Sequence, residues 1–145
     1  MQVIAGLVIF IVVVVALLIW RGRQHDQETA LDFDSWVAKY ESASSPLQAS
    51  QMAVAFLSQS VQDAWSRGAI NSKERETVTS VLRKSPATNT LTLWFGSMLP
   101  AVTRAVGEEE LPNIPAHTVG MLMLLAWMAP AGQGEDAVRR FLFRR

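Results

Sequence analysis

Two histidines and a short acidic cluster are the side chains of this chain that come nearest to metal or acid–base chemistry. His117 stands a short loop after Glu108, Glu109 and Glu110, and His25 stands alone. A zinc site or a general base needs further groups that converge on the imidazole. The sequence contains neither HxxxH nor HExxH spacing. We therefore interpret His117 as a structural histidine near a helix start and the glutamates as a solvated loop.

The other residue types used in catalysis also lack the spacing that their chemistry requires. No serine stands in a GxSxG elbow, and no GxxxxGK[ST] phosphate loop is present. Asp32 and Asp34 are two positions apart and would point to different faces of a helix. The chain has no cysteine, which removes thiolate catalysis and cysteine metal sites. We predict no catalytic, cofactor-binding or metal-binding residues, no cofactor and no enzymatic activity.

An unbroken apolar run from Val3 to Trp20 contains no charge and no proline. A helix of this length reaches about 27 Å, close to the hydrocarbon core of a bilayer. Only two residues precede the run and no small-residue cleavage site follows it, so the pattern predicts a retained transmembrane anchor. Arg21 and Arg23 come next, with Trp20 at the interface. The positive-inside rule then predicts that the N-terminus lies outside and the C-terminal domain in the cytoplasm. The short anchor and the Ala/Val-rich composition indicate a bacterial inner-membrane protein.

The rest of the chain contains residue patterns that are typical of helix starts and helix ends. Ser45 with Pro46, and Asn71 with Glu74 three positions later, mark helix starts. Gly68 and Gly107 mark helix ends. The expected organisation is an anchor at 1–20, a juxtamembrane helix at 21–44 into which the anchor can run without a break, and a helical bundle domain at 45–145.

Apolar residues at helical spacing define the expected core. For the helix after Pro46, the predicted buried face consists of Val54, Leu57, Val61, Ala64 and Trp65. The segment His117–Met128 has no charge, but about twelve residues reach only ~18 Å, so we predict a central buried helix there. The predicted fold class is all-α, with a single N-terminal transmembrane helix followed by a compact five- to six-helix soluble bundle.

The charge balance argues against a nucleic-acid partner. The chain has 13 basic and 13 acidic side chains and is formally neutral, whereas a dedicated nucleic-acid binder carries a basic excess. The unit at 62–84 has the outline of a helix-turn-helix, but its second helix also carries Glu74 and Glu76. We expect no nucleic-acid binding.

The same unit resembles, over about twenty residues, the hairpin of tellurite-resistance TerB-like helical domains. Ala64, Gly68, Ile70 and Glu74 match the small residue, glycine, isoleucine and later glutamate of that hairpin. Arg67 stands where that family carries an acidic residue linked to metal binding, so the resemblance implies no metal site here. We make no family assignment from it.

Tryptophans and a basic C-terminal segment are the candidate contact residues. Four of the five tryptophans fall on predicted apolar stripes, where they are either core anchors or partner contacts. In the C-terminal helix, Val138, Phe141 and Leu142 either close the core or contact an anionic membrane or a partner together with the neighbouring arginines. The candidate contact residues are Trp94, Trp127, Arg139, Arg140, Phe143, Arg144 and Arg145.

These observations favour a non-catalytic, membrane-anchored accessory or scaffold subunit of a larger bacterial inner-membrane complex. The expected partners are the lipid bilayer and other protein subunits, and self-association into a homo-oligomer is left open. The alternative is a membrane-tethered sensor or regulator that binds a lipid or small ligand near Met98, Met121, Met123 and Trp127.

Overall fold

The computed structural model describes residues 11–13 and 31–144 of the chain. Within these residues the structure is helical apart from one isolated bridge, and the all-α prediction is confirmed. From Phe33 onward the α-helices are α1 Phe33–Glu41, α2 Pro46–Ser66, α3 Ser72–Lys84, α4 Ala87–Leu93, α5 Leu99–Val106, α6 Ala116–Met128 and α7 Gly134–Leu142. A π-helical turn, Trp94–Met98, joins α4 to α5, and a 3-10 turn, Leu111–Asn113, precedes α6.

The predicted transmembrane architecture is corrected. Among the residues that the structure describes, no helix is both long enough and apolar enough to cross a bilayer. Helix α2 has 21 residues but includes polar ones such as Asp63, and the most apolar helix, α6, has only 13, about 20 Å. The single-pass inner-membrane location and the orientation that followed from it are therefore not retained. Of the run Val3–Trp20, Ile11–Val13 are described and helical; the remainder, with Arg21 and Arg23, lies outside the described residues.

Helix α1 does not extend upstream through Leu31 and Asp32, which are not helical. Asp32 instead forms a β-bridge with Pro115. The N–H of Phe33 donates to the carbonyl of Ile114 at 2.8 Å, and the N–H of Ala116 donates to the carbonyl of Leu31 at 2.7 Å. These bonds tie the start of α1 to the start of α6. The expected continuous helix through 21–44 is thus interrupted, and its described part begins at Phe33.

The helix ends predicted from local signals are confirmed. The hydroxyl of Ser45 accepts a hydrogen bond from the first turn of α2. Asn71 and Glu74 form a reciprocal capping box at 2.8 and 3.1 Å, which satisfies two backbone N–H groups at the start of α3. Gly68 and Gly107 follow α2 and α5 with φ of 72° and 106°, a conformation that costs glycine little.

Helix α6 lies at the centre of the bundle and packs against α2, α5 and α7. The prediction of a central buried helix is confirmed, because five large apolar side chains, which point to different sides of the helix, are inaccessible to solvent. These fully buried side chains are Val119, Met121, Leu122, Met123 and Leu124. Near Gly120 the backbone of α6 comes so close to α2 that an added Cβ would lie 2.9 Å from the ring of Phe56.

The buried face of α2 differs from the predicted one. Leu57, Val61 and Ala64 are buried as expected, but Val54 and Trp65 are 52% and 39% exposed. The helix instead buries a face turned further around its axis, which includes two polar residues. The buried residues are Met52, Ala53, Phe56, Leu57, Ser60, Val61, Asp63 and Ala64. A pattern built from apolar residues alone missed this face because it includes the polar residues Ser60 and Asp63.

Candidate functional site

Asp63 is an acidic residue that is buried in the structure, with 8% of its surface exposed. One carboxylate oxygen accepts a hydrogen bond from Nε of Arg67 at 2.8 Å. The other lies 2.9 Å from Nδ1 of His117 and 3.4 Å from the hydroxyl of Thr118. Arg67 also donates to that hydroxyl at 3.3 Å. These four residues are named the Asp63 cluster.

The Asp63 cluster joins the last turn of α2 to the first turn of α6. Asp63 and Arg67 are one helical turn apart, whereas His117 and Thr118 follow the start of α6. A carboxylate near a helix N-terminus is favoured by the helix dipole. The buried carboxylate is thereby satisfied from both helices, and the cluster fixes their relative position.

A carboxylate on Nδ1 also orients imidazole rings in catalytic and metal sites. Such a site needs further groups on the other ring nitrogen. The described residues contain no group of three or more His, Asp or Glu side chains placed to hold a metal ion. No described serine or threonine hydroxyl forms a hydrogen bond with Nε2 of His117. The arrangement therefore fits a polar link between helices.

The acidic partner of His117 was not identified from the sequence, although the prediction of a solvated acidic loop is confirmed. Glu108, Glu109 and Glu110 are exposed on their loop, and the residue that contacts the imidazole is Asp63. The spacing of Asp63 and Arg67 signals an ion pair on α2. No local pattern connects Asp63 to a histidine 54 positions later.

The tryptophans named as contact candidates lie in or against the core. Trp94 is fully buried, and its ring centroid is 5.9 Å from that of Trp127, which is partly buried. Nε1 of Trp94 has no hydrogen-bond partner in the part of the chain that the structure describes. Among the tryptophans that the structure describes, the exposed one is Trp65, at 39%.

The residues proposed for a ligand pocket pack in the core as well. Met121 and Met123 have no exposed surface, and Met98 and Trp127 pack against the same core. No observation in the described part of the chain favours ligand binding there over packing.

The C-terminal helix α7 combines a docked side with an exposed end. Val138 is fully buried against the core, whereas Phe143 is 75% exposed. Glu135 forms ion pairs with Arg139 and, at 3.1 Å, with Arg104 of α5. Helix α7 therefore closes the core through Val138 and is fixed to α5 by Glu135.

The remaining arginines of the tail line the surface beside α7. Nε of Arg140 donates to the carbonyl of Asp136 at 3.3 Å. Arg140 and Arg144 flank a shallow groove with Leu125 and Met128 at its base. Arg145 lies outside the described residues.

Three large apolar side chains lie exposed along one line of α2. Leu47, Val54 and Trp65 are 68%, 52% and 39% exposed. Spacings of 7 and 11 residues bring a helix back to nearly the same face, so the three align over about five turns, or about 27 Å. These residues are named the α2 stripe.

A groove of about 650 Å³ runs beside the α2 stripe, between α2 and α3. Its apolar base includes Leu57, Val61 and Leu82, and Val54 belongs to both the groove and the stripe. Arg75 and Arg83 also line it. The guanidinium carbon of Arg75 lies 4.4 Å from the ring centroid of Trp65, in a cation–π contact. This surface is named the α2–α3 groove.

No protein family, curated protein or solved structure matches this chain in the three comparisons made with known proteins. The features that bear on function are the Asp63 cluster, the α2 stripe and the α2–α3 groove.

Proposed function

We propose that this chain is a non-catalytic accessory or scaffold subunit that binds a partner protein on the α2 stripe. The observation that carries the proposal is the alignment of Leu47, Val54 and Trp65 on one exposed face. Single exposed apolar residues are ordinary on protein surfaces, whereas three of them on one helix face beside an apolar groove favour an interaction site. Tryptophan is also enriched among the residues that dominate binding energy at interfaces.

The opposite side of α2 supports the same function, because it makes the α2 stripe a rigid surface. Phe56 and Ala53 are fully buried, and α2 packs closely against α6. The Asp63 cluster fixes the C-terminal end of the helix, and Ser45 caps its N-terminal end. A partner that binds a preorganised helix loses less conformational entropy on association.

Site-specific photo-crosslinking tests the proposal. Benzoylphenylalanine is placed at Val54 of the full chain, expressed in its own host, with the exposed loop residue Glu109 as the control position. We expect a discrete protein adduct from Val54, none from Glu109, and loss of the adduct when Leu47 and Trp65 are each replaced by aspartate. Urea unfolding of the double variant must stay within about 1 kcal/mol of the parent.

Three results would contradict the proposal. The first is the absence of a Val54 adduct, and the second is an equal yield from both positions. The third is an adduct with the mass of two copies of this chain, which would assign the α2 stripe to self-association.

A further inference from the structure

The charged residues of the α2–α3 groove are all basic. Arg75 and Arg83 are the charged residues in its lining, which contains no aspartate or glutamate. Neither arginine forms an ion pair with a carboxylate among the described residues. An apolar base with two cations beside it is complementary to a ligand that is apolar on one side and acidic at its margin.

We propose that the α2–α3 groove binds an acidic amphipathic α-helix of the partner protein. This inference rests on the proposed function and specifies the chemistry of the partner at the same surface. Helices that bind in grooves place apolar residues at i, i+3 or i+4 and i+7 along the groove. Here Val54, Leu57 and Leu82 would receive those residues, and Trp65 would cover one end.

The dimensions of the surface favour a helical partner over an extended one. The α2 stripe extends over about 27 Å, which matches about 18 residues of helix. Helices α2 and α3 border the groove, and a third helix packs against such a pair through interdigitating side chains. Strand addition needs an unpaired strand edge, and the residues described by the structure form no strand.

The positions of the arginines predict where the acidic residues of the partner lie. Arg75 and Arg83 are eight positions apart on α3, which places their Cα atoms about 12 Å from each other. Two carboxylates at i and i+7 of the partner helix have nearly the same separation and lie on one side of it. Arg75 is held over the ring of Trp65, so its charge is already oriented before binding.

The test uses a synthetic helical peptide of about 18 residues. Its leucines follow the i, i+3/i+4, i+7 pattern, two glutamates stand seven positions apart at the margin, and a fluorescent label reports anisotropy on titration with the full chain. A second peptide carries lysines in place of the two glutamates. The protein variant is Arg75→Glu with Arg83→Glu, and the matched control is Arg144→Glu, an exposed arginine outside the groove.

We expect the parent protein to bind the glutamate peptide at least about tenfold more tightly than the lysine peptide. The double reversal should invert this preference, and Arg144→Glu should change the affinity less than about twofold. Raising the salt from about 50 to about 300 mM should weaken the binding, because the contacting charges are exposed. The inversion matters most, since a merely unfolded variant would bind neither peptide.

Equal binding of the two peptides, no binding of either, or loss of binding without inversion would overturn the inference. Binding of a DNA duplex as tight as that of the glutamate peptide would also overturn it. The two proposals fail separately. If the Val54 adduct forms and depends on the α2 stripe, but its mapped partner segment is extended or lacks acidic residues, the proposed function stands and this inference fails.

Discussion

Replacing Gly120 by alanine should destabilise the fold, although alanine is the better helix former. Gly120 lies in the interior of α6, where it faces α2. The added Cβ would lie 2.9 Å from both Cζ of Phe56 and Cβ of Ser60, and it would overlap the hydroxyl of Ser60. That hydroxyl donates to the carbonyl of Phe56 at 2.7 Å, which holds it in place. Helices α2 and α6 would therefore have to separate.

The expected change in the free energy of unfolding for Gly120→Ala is the sum of two opposing effects. Alanine in a helix interior is favoured over glycine by about 1 kcal/mol. Overpacking a well-packed core costs about 1–3 kcal/mol, and the upper end applies here because the contact with Cβ of Ser60 is relieved only by backbone movement. The expected net loss in the free energy of unfolding is about 2 kcal/mol. For a chain of this size, that loss lowers Tm by about 8 °C.

Urea unfolding followed by far-UV circular dichroism measures this loss. Gly96→Ala is the matched control, since a Cβ at this helical glycine would meet no atom within 4 Å. We expect that variant to be as stable as the parent or more stable by up to about 1 kcal/mol. In a Ser60→Gly background, which removes both contacting atoms of Ser60, Gly120→Ala should cost at least about 1 kcal/mol less than in the parent. If Gly120→Ala is as stable as the parent, the close approach of α2 and α6 is incorrect.

Three further predictions use the same unfolding assay. Asp63→Ala should cost about 2–3 kcal/mol because it leaves buried hydrogen-bonding groups unpaired, whereas Arg67→Ala, with a side chain 45% exposed, should cost less than about 1 kcal/mol. Asn71→Ala should cost about 1 kcal/mol through loss of the capping box, and an unchanged midpoint would show that the box contributes nothing. Val138→Ala should lower the free energy of unfolding by about 2 kcal/mol, whereas Phe143→Ala, at a side chain 75% exposed, should change it by less than about 0.5 kcal/mol. A larger loss for Phe143→Ala than for Val138→Ala would mean that α7 does not close the core.

Local sequence patterns predicted the helical class and most helix ends correctly. A capping box, for example, is made by Asn71 and Glu74, which are three positions apart. The absence of any polar side in His117–Met128 was also sufficient to predict a buried central helix. Such features depend on residues within one or two turns of each other, so they can be read without knowing the neighbouring helices.

The candidate site could not be predicted in the same way. Val54 and Trp65 are apolar residues of the kind that usually form a core, and they were predicted to be buried. They are instead part of the exposed α2 stripe. Trp94, predicted to be either a core anchor or a partner contact, is fully buried. Hydrophobicity alone does not tell which of two adjacent apolar faces will meet another helix. The predicted anchor was also wrong. A transmembrane span was inferred from an apolar run, but no helix among the described residues is long and apolar enough to cross a membrane.

The amino-acid sequence by itself determined the helical class and where most of the described helices begin and end, because helix hydrogen bonds and caps join near neighbours in the chain. Tertiary structure alone decided which face of α2 is buried, because the residues that this face meets, such as Gly120, lie on a helix that is distant in the chain. It also decided that Asp63 meets His117, a contact between residues 54 positions apart. The α2 stripe is exposed as a consequence of that choice of face.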